Sequence, residues 1–313
     1  MSTIAVNAIT DANGGNTTSI NNTTPNAYNT VGKNLIINGA MEIAQRGTTS
    51  ASTGYQTVDR WRLNLGTQQE QKTDAPDQFK NSMEITGTVA GSSGYGIVLQ
   101  RIESNNIYSA LGQNCTLSCY VKNTGTSTAN VSVEIYRANS TDNFSGLTLV
   151  SSLTSQAITS GWTRITFPAF SVPTSASTGL EVRIFRYDGS NDQEWLITGV
   201  QLEVGSVATE FERRPYGTEL SLCQRYYWRQ YFSGANVIYD RVYWNGAGNN
   251  AIFNFPAPAG MRINAATVTC SPTTNGTGVT FTYHPHGNII VYRVSASGDN
   301  YLYAQDLSIN AEL

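Results

Sequence analysis

Charge is in short supply. Lys and Arg number 19 against 22 Asp and Glu, so 13% of the residues are charged and the net charge is −3, about half the usual charged share. With four lysines in 313 residues, the chain has no basic stripe to track a phosphate backbone, which argues against a nucleic-acid partner. Long apolar runs are also missing, so nothing is long enough to cross a bilayer as a helix. Met1–Asn34 lacks the basic start and apolar run of a secretion signal, and the expected place of synthesis is a cytoplasm. The four cysteines, Cys115, Cys119, Cys223 and Cys270, are too few for a disulfide framework and lack the paired spacing of zinc sites. Cys115 and Cys119, four apart on one strand, would sit about 13 Å apart, beyond disulfide reach. Buried free thiols are expected.

What is abundant is Ser, Thr and Asn, 95 of 313 residues, together with 28 Gly. Such a composition predicts strands and turns rather than helices. Apolar residues still make up 40%, enough for real cores, and the length predicts two or three folded units.

Residues 1–33 hold 16 Ser, Thr or Asn and one aromatic, Tyr28, too little to build a core. Ile4, Val6 and Ile9 precede a turn-like Asp11–Gly15, a strand and turn that other chains could bury. This predicts an extended attachment and oligomerisation segment over 1–33. From 34 to 213, short alternating runs predict a jelly-roll β-sandwich. The runs Leu117–Val121, Val131–Ile135, Ile165–Phe167 and Leu180–Ile184 each place apolar side chains on one face, with the alternate residues toward solvent. Around 214–224 the spacing of Leu220, Cys223 and Tyr227 predicts a short helical linker. Strand patterning then returns over 225–313, in Phe253 with Phe255, Val268 with Cys270, Val279–Tyr283 and Ile289–Val294, predicting a smaller C-terminal β-sandwich. The fold class expected is therefore all-β.

Aromatics crowd Tyr226, Tyr227, Trp228, Tyr231, Phe232, Tyr239, Tyr243 and Trp244. Flat rings with polar edges either stack on the CH faces of sugars or fill a core or subunit interface. Tyr231, Tyr243 and Trp244, flanked by polar or glycine-rich turns, are the candidate glycan contacts. In Asp59-Arg60-Trp61, Arg60 is expected to pair with a carboxylate and lock an N-terminal strand to the sheet. The carboxylates Asp74 and Asp77, and Asp188, Asp192 and Glu194, lie in loop-like stretches where they could form a glycosidase pair or hold calcium. No nucleophile elbow, phosphate loop or dinucleotide fingerprint is present. The chain is expected not to be an enzyme.

Asn34-Leu35-Ile36-Ile37-Asn38-Gly39-Ala40-Met41, Gln45-Arg46-Gly47 and Asp59-Arg60-Trp61, followed by Ile197–Gly205 and Ala208–Arg213, resemble the opening and closing strands of a module found in bacteriophage tail fibres and receptor-binding virion proteins. Cys223–Tyr227 and Phe255-Pro256 with Met261-Arg262 resemble the start of the terminal domain in the same group, although the proline and arginine stand further apart here. The resemblance implies a structural virion protein, a homotrimeric tail fibre made in the host cytoplasm, with a carbohydrate-binding-like jelly roll. Its partners would be other tail or capsid proteins and host cell-surface polysaccharide, bound without covalent chemistry or membrane insertion. Residues 225–313 would form the receptor-binding tip. It also implies one use for His284-Pro285-His286, which carries both histidines: three copies around a threefold axis would offer six imidazole nitrogens to a transition-metal ion. No other cofactor is expected. Two alternatives stand beside this reading, a capsid-decorating or tail connector protein that binds no glycan, and a polysaccharide depolymerase.

Overall fold

The computed structural model describes residues 32–86, 95–125, 129–187, 194–231, 238–244, 250–256, 258, 260–262, 267–274, 277–284, 288–294 and 298–313. Of the expected attachment segment, only Gly32 and Lys33 fall within them. The architecture is all-β, a jelly-roll sandwich followed by smaller sheets, and every strand pair among the described residues is antiparallel.

In chain order the first strands are β1 (Thr49–Ser50), β2 (Arg62–Leu65), β3 (Gln68–Lys72), β4 (Ser82–Thr86), β5 (Tyr95–Ile102) and β6 (Asn114–Asn123). They continue as β7 (Ala129–Ser140), β8 (Asn143–Ile158), β9 (Thr163–Thr166), β10 (Phe170–Ser171), β11 (Leu180–Tyr187) and β12 (Trp195–Val204). One sheet has the order β1-β3-β4-β12-β6-β10, with β9 also on β6, and the other the order β2-β5-β11-β7-β8. The chain passes back and forth between the two, so their facing sides close over one core. Trp61, Leu117, Cys119, Val121, Val133, Ile135, Val182, Ile184, Trp195 and Ile197 are all fully buried there. The apolar faces of the four runs named above thus meet as alternation requires.

The residues between those apolar positions do not all reach solvent. Ser118 and Glu181 are buried, and β12 is buried along its whole length. Around Ser118 and β12 the reason is a second layer, because the segment after β12 folds back across its outer face, whereas Glu181, on the other sheet, lies beneath the two arginines that it pairs with, Arg101 and Arg183. Glu203 accepts from the Thr209 backbone N–H at 2.8 Å and from its hydroxyl at 2.6 Å, and Gln201 Oε1 accepts from Glu212 N at 2.7 Å. The buried Gln201 and Glu203 on that face therefore both have partners.

The segments that carry the family resemblance are the joints of this layer. Leu35 N donates to Leu202 O at 2.8 Å, and Val200 N donates to Gly39 O at 3.0 Å. Asn38, in the left-handed region at φ 55°, donates to Ile43 O and Asp59 O and accepts from Ile43 N. Its own carbonyl takes the Trp61 indole N–H at 3.0 Å. These residues hold loops to strands.

Helix α1 (Tyr216–Gln224) follows, then β13 (Tyr227–Tyr231), β14 (Ile238–Trp244), β15 (Asn250–Pro256), β16 (Thr267–Thr274), β17 (Thr277–His284), β18 (Asn288–Val294) and β19 (Gly298–Asn310). Leu220 and Cys223 pack toward Ile37, Ile43 and Tyr226. Tyr227, expected on the same helical face, instead opens β13, because the helix ends at Gln224 and Arg225 turns the chain. One sheet orders β13-β19-β14 with β16 also on β19; the other orders β15-β18-β17.

Arg60 does pair with a carboxylate, but the partner is Glu312, beyond β19, rather than a residue of the sheet below it. Glu312 also meets Arg46 at 3.2 Å. The Arg60 and Arg46 guanidinium groups stack on the rings of Tyr226 and Tyr227 at 3.4 and 3.6 Å. Arg225 reaches Glu103 at 2.9 Å, and Arg262 donates to Ala311 O at 2.7 Å. Two buried arginines, Arg46 and Arg60, with the half-buried Arg225 and Arg262 beside them, thus tie residues 226–312 to the jelly roll.

Candidate functional site

Alternation along β5, β7 and β11 sends one set of side chains into the core and the other onto the outer face of the five-stranded sheet, which is open at Leu149 and closed over Leu99 and Glu181. Register aligns that second set in rows. Arg62, Leu99, Arg183, Glu134 and Ser152 form one. Arg101, Glu181, Tyr136 and Leu149 form the next, and Ile97, Phe185 and Ser132 a third.

The second row is organised by one buried carboxylate. Glu181, 0% exposed, accepts from Arg101 Nε at 2.7 Å and from Arg183 Nε at 2.6 Å. Both arginines are therefore fixed at the stem, while their side chains keep 18% and 25% of their surface in solvent. The Arg183 guanidinium lies 4.3 Å from the centroid of the half-buried Tyr136 ring. Tyr136 donates its hydroxyl proton to Glu134 Oε2 at 2.7 Å. Burial, and next that hydrogen bond, pushes the Tyr136 hydroxyl up from its ordinary value, so it remains a neutral donor. A held aromatic ring flanked by fixed donors can stack an apolar ring face and bond the hydroxyls at its edge.

A second polar corner lies on the other sheet. Asp74 accepts from Lys122 Nζ at 2.6 Å and from the Trp162 indole N–H at 2.9 Å. Those two donors, Lys122 first, hold its carboxyl below the usual value, so Asp74 is ionised and occupied rather than poised as an acid. Asp77 is exposed in the same loop. Asp188 and Asp192 lie outside the described residues, and Glu194 uses its backbone carbonyl to accept from Thr124 and Gly125.

The candidate contacts chosen from sequence fall on other elements. Tyr231 ends β13 opposite Asp306, whereas Tyr243 and Trp244 end β14 opposite Asp299 and Gly298. Their partners on β19 are seven residues apart for Tyr231 and Tyr243 (306 − 299), about 24 Å of extended strand, so the three do not form one cluster along that strand. Their side chains lie outside the described residues. His284 is the last residue of β17, opposite Asn288, and His286 lies outside the described residues. Among the described residues, no three His, Cys, Asp or Glu gather as a metal site. Tyr226, Tyr227 and Trp228 are buried, and Trp61 and Asp59 are fully so, which removes all five from any ligand surface. Cys115, Cys119 and Cys223 are buried free thiols, the first two pushed up to about 12 chiefly by burial.

No family model matches this chain, and no curated protein does. Solved structures similar to it include the CBM22-1 xylan-binding domain of Paenibacillus barcinonensis Xyn10C, at 12% identity over 51% of this chain and 94% of that one, TM-score 0.33. TmCBM61, solved with β-1,4-galactotriose, is 9% identical over 55% of this chain and 99% of that one, TM-score 0.32. The enzymatically active domain of bacteriophage CBA120 tailspike protein 4 is 15% identical over 55% of this chain and 21% of that one, TM-score 0.36.

Proposed function

We propose that this chain is a non-enzymatic virion protein of a bacteriophage, a trimeric tail fibre whose jelly roll holds host cell-surface polysaccharide. The observation that carries the binding half is the row Arg101–Glu181–Tyr136, a fixed aromatic ring set among anchored donors on an open sheet face. Stacking beneath a pyranose and hydrogen bonding at its rim need that combination, and three copies on one fibre would multiply a weak single contact. The virion half rests on the sequence resemblance at 34–41, 45–47, 59–61 and 197–213, where loop backbone is tied to β12. The C-terminal sheets would form the tip, with Tyr231, Tyr243 and Trp244 as contacts and His284 with His286 as the ligands of a shared ion.

The test is retardation of the purified full chain in gels containing envelope polysaccharide of the host. Tyr136→Ala is expected to weaken retention about fivefold, the weight of one aromatic stacking contact, with unchanged thermal unfolding. Equal retention of the variant would remove this face from the binding surface. No retention of either protein would favour a decorating or connector role. Release of oligosaccharide during the run would favour a depolymerase. Light scattering that gives one chain rather than three would refute the fibre.

A further inference from the structure

The open face described above offers donors in excess. Of the four carboxylate oxygens of Glu134 and Glu181, three are engaged internally, both on Glu181 by Arg101 and Arg183 and one on Glu134 by Tyr136. The arginines are used far less. Arg183 spends only Nε, and among the described residues its Nη1 and Nη2 have no partner. Arg101 spends Nε on Glu181 and Nη1 on Leu313 O. Arg62 spends Nη1 on Asn64. In charge, Arg62, Arg101 and Arg183 face Glu134 and Glu181, three against two. Arg62 and Arg183 straddle the buried Leu99, two strand spacings or about 10 Å apart.

Neutral sugar hydroxyls offer as many donors as acceptors and would leave much of this array unmatched. A group that only accepts would match it, and the planar guanidinium fork fits the two coplanar oxygens of a carboxylate. Resting on the glycan-binding reading above, we propose that this face selects a uronate polymer. Arg183 and Arg62 take its carboxylates, while Tyr136 carries a sugar ring. Glu181, itself out of solvent, positions the guanidinium groups of Arg183 and Arg101 by accepting from their Nε atoms.

The experiment compares polygalacturonate with the same polymer fully methyl-esterified, titrated calorimetrically into the full-length chain. The acid form is expected to bind at least about tenfold more tightly, the weight of one charge-assisted contact. That advantage should shrink as salt rises from about 0.05 to 0.5 M. Arg62→Gln, an edge-strand change that leaves Glu181 paired, should cut the difference between the two polymers and leave the ester's affinity in place, and Arg183→Gln should cut the same difference. Equal binding of acid and ester would overturn the charge selection while leaving the glycan site standing. Tighter binding of dextran sulfate than of polygalacturonate would overturn the carboxylate assignment. No binding of either polymer would overturn both this inference and the glycan site on which it rests.

Discussion

Glu312→Ala is expected to cost about 3–5 kcal/mol of folding stability, the range for stranding a buried charge. The Glu312 side chain is 5% exposed and serves two arginines that are themselves 1% and 8% exposed. Removing its carboxylate leaves Arg46 with Asp59 at 3.5 Å, but leaves Arg60 only the Arg101 carbonyl and the Tyr226 ring. Arg60 Nε already has no hydrogen-bond partner, so nothing nearby takes over. Were this pair at the surface, the expected cost would be below about 1 kcal/mol, so burial sets the magnitude. At about 2–4 °C per kcal/mol for a domain of this size, the melting temperature should fall by about 10 °C. Urea unfolding followed by far-ultraviolet circular dichroism measures the loss directly. The double variant Arg60→Met with Glu312→Leu should recover much of it, because no charge is left unpaired. A loss under about 1 kcal/mol for Glu312→Ala, or a double variant less stable than the single one, would refute the clamp.

Two further outcomes follow from the same packing. Burial raises the Asp59 carboxyl to about 6, against the pull of Arg46 and Gln45. The folded chain therefore holds that proton more tightly than the unfolded chain, and stability should rise by about 2 kcal/mol as pH falls from about 6.5 to 4.5. Asp59→Asn should remove that slope, and a flat or falling wild-type profile over the window would contradict the assignment. Gly39→Ala would bring a methyl group to 2.2 Å from the Val200 carbonyl oxygen, a backbone atom that cannot swing aside. The loss should exceed about 3 kcal/mol, at the severe end for single substitutions, and soluble protein with wild-type unfolding would show the approach to be looser than described.

The strands were legible because period-two alternation is local. Leu117–Val121, Val131–Ile135 and Leu180–Ile184 each lie within a strand and Ile165–Phe167 runs one residue past β9, with the apolar positions in the core. The open face was written in the same runs, as Glu134 in one, with Tyr136 just past its end, and Glu181 and Arg183 in another. It could not be read there, because a row needs strand order, and β5 pairs with β11 across nearly eighty residues. The buried layer escaped for a related reason. Ser118 and Glu203 look like solvent-facing polar residues until a distant segment is known to cross them. Aromatic density at 226–228 was open to both readings, because rings signal ligand contact and burial alike, and there burial is what they serve.

One strand has a consequence for the order in which the molecule can be made. β19 pairs with β14 over 298–303, with β13 over 306–310 and with β16 over 302–310, and Glu312, just beyond it, meets both Arg46 and Arg60. Translation delivers these residues after everything they join. The emerging chain must hold Arg60 without its carboxylate and three strands lacking their shared neighbour until residues 298–312 leave the ribosome. Nascent polypeptides halted before residue 298 would then be recognisable to proteases as unfinished, even with every strand of the jelly roll already synthesised.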